Sequence, residues 1–123
     1  MALPEIVNLH IKQGDSWRRT LTLLEDDDTT PIDLTGCSVE FSIARARRAR
    51  PSWTFTQPPH AAITDPPHGV IELALSPNDS RAFGDRTTLA CEVTLTFSDG
   101  TRLTVLDAEL SVRLEVADED VTP

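Results

Sequence analysis

The sequence predicts an all-β domain: a two-sheet antiparallel β-sandwich of about seven strands with one short helical turn. Three observations predict it. Apolar residues alternate with polar ones at period two, the mark of strands with one buried face. Turn-forming residues punctuate those runs at Gln13-Gly14-Asp15, Pro31-Ile32-Asp33-Leu34-Thr35-Gly36, Asp65 to Ile71, Leu75-Ser76-Pro77 and Ser98-Asp99-Gly100. So many one-sided strands need two facing sheets to cover their apolar sides. At 123 residues the chain is expected to form one domain over residues 1–116, followed by an acidic tail over residues 117–123.

The elements follow in order. Strand one is predicted over Ile6–Lys12, where Val7, Leu9 and Ile11 alternate with Asn8, His10 and Lys12. Gln13-Gly14-Asp15 is a turn in which Gly14 supplies a positive φ. Strand two is predicted over Ser16–Leu24, with Trp17, Arg19, Leu21 and Leu23 on one side and the end of Arg19 exposed. Glu25-Asp26-Asp27-Asp28, with Thr29, Thr30 and Pro31, is a loop. Strand three is predicted over Cys37–Ala44, turning Cys37, Val39, Phe41 and Ile43 inward. Trp53 and Phe55 mark a short fourth strand. Gln57–Gly69 holds four prolines and two histidines, too many breakers for regular structure.

Val70–Leu75 is a strand with Ile71, Leu73 and Leu75 inward. Ser76 can then cap a short helix, with Pro77 at its first position, Asp79 favouring its N-terminus and Gly84 ending it. In the last hairpin, a two-residue Asp99-Gly100 turn would put Leu103 and Val105 on the face opposite Val93, Leu95 and Phe97. A three-residue Ser98-Asp99-Gly100 loop pairs Leu95 with Leu103 and Val93 with Val105. Burial selects that register, a type I turn with Gly100 left-handed in a bulge. Leu110, Val112, Leu114 and Val116 fall on the other parity. A bulge or bend is therefore expected near Asp107–Glu109, one that could carry the strand across to the second sheet.

Composition narrows function. Net charge is −9, which disfavours general binding to nucleic acid or to an anionic membrane. No apolar run approaches the ~20 residues of a membrane span. The start of the chain does not read as a secretory signal, so a reducing compartment is expected. Cys37 and Cys91 are accordingly expected as two buried thiols rather than a disulfide across the core.

No Gly-rich phosphate loop, paired cysteine knuckle or His-Glu helix motif occurs. His60, His68 and Asp65 include zinc-ligand types, but two solvated loop histidines are the expected state. Asp26, Asp27 and Asp28 lack the spacing of a calcium loop. Asp15, Ser16 and His10 are residue types of hydrolysis with nothing to arrange them as a triad. No catalytic residues, metal or cofactor are expected, and the protein is expected not to be an enzyme. Cys37, Trp53 and Cys91 suggest an Ig-like sandwich. Two strands already precede Cys37, however, and the chain has no Tyr for a tyrosine corner, so a true antibody-like domain is not expected.

The distinctive polar feature is Arg45-Ala46-Arg47-Arg48-Ala49-Arg50-Pro51, which holds four of the eleven basic residues and is followed by Trp53. Arg45, Arg47, Arg48, Arg50 and Trp53 are the candidate partner-binding residues. Such a segment would suit an acidic surface, and the chain offers Glu25–Asp28 and Glu115–Asp120. A solvated loop is the alternative.

The order of turn signals also resembles a known group. Ile11-Lys12-Gln13-Gly14-Asp15-Ser16-Trp17 and Pro31-Ile32-Asp33-Leu34-Thr35-Gly36 resemble the first half of small β-sandwich proteins from phage and prophage tail genes. Asp65-Pro66-Pro67-His68-Gly69-Val70-Ile71, Leu75-Ser76-Pro77-Asn78-Asp79, Cys91-Glu92-Val93-Thr94-Leu95-Thr96 and Ser98-Asp99-Gly100-Thr101 are similar to their second half. The nearest named group is the N-terminal domain of phage baseplate upper proteins, and the resemblance spans Ile6–Val116. It implies a non-catalytic structural component of a tail or baseplate, assembled in the host cytoplasm and found in the virion. The implied partners are other tail proteins or copies of the chain in a homo-oligomer, with neither nucleic acid nor membrane. A module binding host-surface carbohydrate is the alternative, for which only Trp53 and Trp17 could serve as aromatic platforms.

Overall fold

The computed structural model describes residues 6–46, 49–84 and 88–114. Eight strands form among them: β1 (Ile6–Lys12), β2 (Trp17–Thr22), β3 (Ser38–Ala44), β4 (Pro51–Phe55), β5 (Ala61–Asp65), β6 (Val70–Leu75), β7 (Thr88–Thr96) and β8 (Arg102–Arg113). One short helix, α1 (Pro77–Arg81), lies between β6 and β7, and a 3-10 turn covers Pro66–His68. The strands make a five-stranded sheet ordered β1-β8-β7-β3-β4 and a three-stranded sheet ordered β2-β6-β5. The result is the all-β, sandwich-like fold that the period-two pattern predicts.

One apolar core holds the sheets together. Phe41, Ile43, Val93, Leu95 and Leu110 of the larger sheet and Ile71 and Leu73 of the smaller are almost wholly buried. They occupy alternate positions of their strands, as a pleated backbone with one dry face requires. Trp17 of β2 stacks on Phe41 of β3, ring centroids 6.1 Å apart, so the two sheets meet through aromatic contact as well.

Two strands depart from expectation. The first, β1, runs parallel to β8, from Ile6 opposite Asp107 to Lys12 opposite Arg113, so the larger sheet is mixed rather than antiparallel. Alternation reports which face is buried and is blind to strand direction. The second, β5, forms inside the Gln57–Gly69 stretch whose breakers predict irregular structure. Its four prolines lie just outside it, at 58, 59, 66 and 67, leaving Ala61–Asp65 with the amides it needs to pair with β6. Breakers at both ends delimit a strand here instead of preventing one.

The β7–β8 hairpin keeps the three-residue loop. Leu95 faces Leu103, the Phe97 amide donates to the Thr101 carbonyl at 2.8 Å, and Gly100 has φ +90°. The parity change comes earlier than expected. Val93 pairs with Leu106, so the bulge falls at Val105 and not near Asp107–Glu109. Beyond it Leu106, Ala108, Leu110 and Val112 all turn inward, and β8 stays in the larger sheet throughout.

The helix forms as its cap predicts. The Asp79 amide donates to the Ser76 hydroxyl at 3.1 Å, and the Ser76 amide donates to the Asp79 carboxylate at 2.7 Å. Gly84 follows in the left-handed region at φ +68°. Strand two is shorter than its pattern. After Thr22 the Leu23 amide turns to the Gly69 carbonyl at 2.9 Å, and Leu24 bridges to Pro31.

Candidate functional site

Alternation that buries one face of the larger sheet leaves the other to be read as a surface. On β3 the outward positions are Ser38, Glu40, Ser42 and Ala44; on β7 they are Ala90, Glu92, Thr94 and Thr96. The register sets Glu40 opposite Thr94, Ser42 opposite Glu92 and Ala44 opposite Ala90. Glu40 and Glu92 are therefore diagonal neighbours on adjacent strands, with Ser42 and Thr94 completing the square. The Ser42 hydroxyl donates to the Glu40 carboxylate at 3.0 Å. Over this patch lies a groove of about 540 Å³. Ala46, Ala49 and Pro51 wall it at one end, and Arg102 lines it from β8.

The structure brings part of the arginine-rich segment to that groove. Arg50 is exposed between Ala49 and Pro51, both of which line it. Arg45 is exposed as well, but its guanidinium lies 5.4 Å from the centre of the Trp53 ring. Trp53 is half-buried and meets Phe83 edge-on, centroids 4.9 Å apart. It thus packs against the core and holds Arg45 over its ring, while part of its surface stays exposed. Arg47 and Arg48 lie outside the described residues, as does the acidic segment Glu115–Asp120.

Trp17 is turned to the core on Phe41 and is also half-buried. Each tryptophan therefore keeps only part of its surface exposed. The acidic loop is closed on itself. Hydrogen bonds from Thr30 and Thr29 hold the Asp27 carboxyl down at about 2.

The two loop histidines do not come together. His60 stacks on Phe55 at 4.3 Å, with its Nε2 2.8 Å from Asp79 Oδ2, whereas His68 Nδ1 lies 3.0 Å from Asp65. Among the described residues no three His, Cys, Asp or Glu side chains converge on a possible metal position. Cys37 is a free thiol, so the cross-core disulfide is not formed. It is half-buried rather than buried, while Cys91 is fully buried. Burial pushes the Cys37 thiol above its ordinary value, and the charges of Asp33 and Asp99 add to the effect.

Reading the sequence by itself misses Glu40 and Glu92. Each is an ordinary outward residue on its own strand, and only the β3–β7 register makes them neighbours. The small residues Ala44, Ala46, Ala49 and Ala90 were the available signal, since they leave room where larger side chains would fill the groove. No family model matches the chain, and no curated protein matches it.

Proposed function

We propose that the chain is a non-enzymatic structural component of a phage or prophage tail or baseplate, acting through protein–protein contacts. The observation that carries the reading is the charge arrangement on the larger sheet. Ala49 and Pro51, the chain neighbours of the exposed Arg50, line a groove floored by two carboxylates, on a scaffold whose described turns carry internal hydrogen bonds. Opposite charges set side by side on a rigid face orient a protein partner more than they strengthen its binding. The succession of turn signals from Ile11 to Thr101, similar to that of small tail proteins, supports a place in the virion, reached by assembly in the host cytoplasm. The partners are neighbouring tail proteins or further copies of the chain.

The test is composition. Tail particles purified from cells that express the chain with its neighbouring genes are expected to contain it in fixed proportion to the other tail proteins. Complete particles from which it is absent would overturn the reading.

A further inference from the structure

We propose that the groove on the outer face of the larger sheet receives Arg50 of a second copy of the chain, pairing two copies face to face. The inference rests on the reading that the chain acts by protein contact, and it names the partner.

The floor of the groove carries unbalanced charge. Glu40 and Glu92 sit diagonally across adjacent strands, a separation of roughly 7–8 Å between backbones and somewhat less between side chains. Among the described residues neither carboxylate has a cationic partner within ion-pair distance; Glu40 has only the Ser42 hydroxyl. A guanidinium with five donors in a flat fork can serve both carboxylates at once, which a single ammonium does less well. The walls suit the rest of an arginine. Ala44, Ala49, Pro51 and Ala90 are small and apolar, so an aliphatic stem can lie along them while its head reaches the acids. Arg102 puts a positive charge at the end of the groove away from those alanines, which directs an incoming cation towards Glu92.

The geometry also favours a second copy over a foreign chain. Arg50 is exposed and its chain neighbours Ala49 and Pro51 both line the groove, so the basic donor lies close along the chain to the acidic acceptor. A two-fold axis running between them places each Arg50 over the other copy's carboxylates. This is the self-complementary arrangement of an isologous dimer, and every contact in it occurs twice. Within one copy the Arg45 guanidinium lies over Trp53 rather than at these carboxylates.

The experiment is a charge-swap series followed by light scattering and sedimentation. The unaltered chain is expected to be a dimer at low salt that weakens as salt rises. Arg50→Glu, and separately Glu92→Arg, are each expected to weaken pairing at least about tenfold. An equimolar mixture of the two variants is expected to restore it, since a mixed pair has one native and one reversed contact. That rescue also shows that both variants are folded. A chain that stays monomeric at all concentrations overturns the proposal, as does a dimer indifferent to either substitution. A monomer that binds an arginine-rich peptide in the groove overturns it too, by giving the site to a foreign segment. A monomeric chain found in tail particles would sink the pairing and spare the tail reading; a salt-sensitive dimer absent from them would do the reverse.

Discussion

The Gly14 amide donates a 2.8 Å hydrogen bond to the Ser80 hydroxyl, tying the turn that crosses between the two sheets to the helix that follows β6. Ser80 is the one buried polar residue among those described, and its hydroxyl in turn donates to the Pro77 carbonyl at 3.0 Å. A buried donor left without an acceptor costs about 1–3 kcal/mol. Ser80→Ala is therefore expected to lower stability to urea by about that amount and to speed hydrogen exchange at the Gly14 amide. A loss below about 0.5 kcal/mol, the size of an ordinary surface change, would show that the helix does not anchor the turn.

Gly69 and Gly84 have nearly the same φ, +71° and +68°, but very different surroundings. A Cβ on Gly69 would lie 2.6 Å from the Leu23 carbonyl oxygen and 2.9 Å from that of Ile32, whereas one on Gly84 would meet nothing within 4 Å. The left-handed conformation alone costs an alanine about 1–2 kcal/mol. Forcing backbone apart adds about 1–3 kcal/mol. Gly84→Ala is expected to lose only the first amount in urea denaturation, and Gly69→Ala the sum. Equal losses would mean that the β2–β6 crossing yields freely at Leu23 and Ile32.

These positions show what can be read before any coordinates. Gly14 and Gly100 were legible as turn glycines because each stands in a turn triplet between alternating runs, and Gly84 was legible as the residue that ends a short helix. The pairing of Leu95 with Leu103 was legible because only one register sets both on the same face. The bulge at Val105 was misplaced because Val105 was counted with Leu103, although Leu106 beside it already begins the even series that runs to Val112. The parallel course of β1 and the meeting of Glu40 with Glu92 were not legible at all. Both are set by which strands become neighbours, and no residue within either strand records that. For the same reason Arg45 and Arg50 could be picked out by charge, while the groove beside Arg50 could not.

Trp53 offers a way to separate folding from contact. Removing a fully buried large aromatic costs about 3–5 kcal/mol. Trp53 is only half-buried, so Trp53→Ala is expected to cost about 2 kcal/mol, mostly through its edge-on contact with Phe83. Trp53→Phe keeps a ring against Phe83 and should cost about 1 kcal/mol. Arg45→Ala removes only the cation over the ring and should cost about 0.5–1 kcal/mol. Thermal melts of the three variants check the order. If Arg45→Ala proves as damaging as Trp53→Ala, the arginine is part of the packing and not a surface charge resting on it.

The Asp79 carboxylate links acid stability to the helix cap. Burial by itself would push its pKa up. The Ser76 amide and hydroxyl and the His60 imidazole outweigh that by bonding to the charged form, so it sits below its ordinary value of 3.8. A carboxyl depressed in the folded state stabilises the fold above the unfolded value, and that contribution is lost as pH falls through the folded one. Asp79→Asn removes the charge at every pH. The variant is expected to be less stable than the unaltered chain at neutral pH, and the gap should close as the solution is acidified below 3.8. Asp27, Asp33 and Asp99 are depressed in the same direction by hydrogen bonds within their own turns. Both chains should therefore weaken in acid, and the informative quantity is the difference between them. Urea midpoints measured from neutral pH downwards give that difference directly. A gap that stays constant into strong acid would mean that the cap works through the shape of the side chain and owes nothing to its charge.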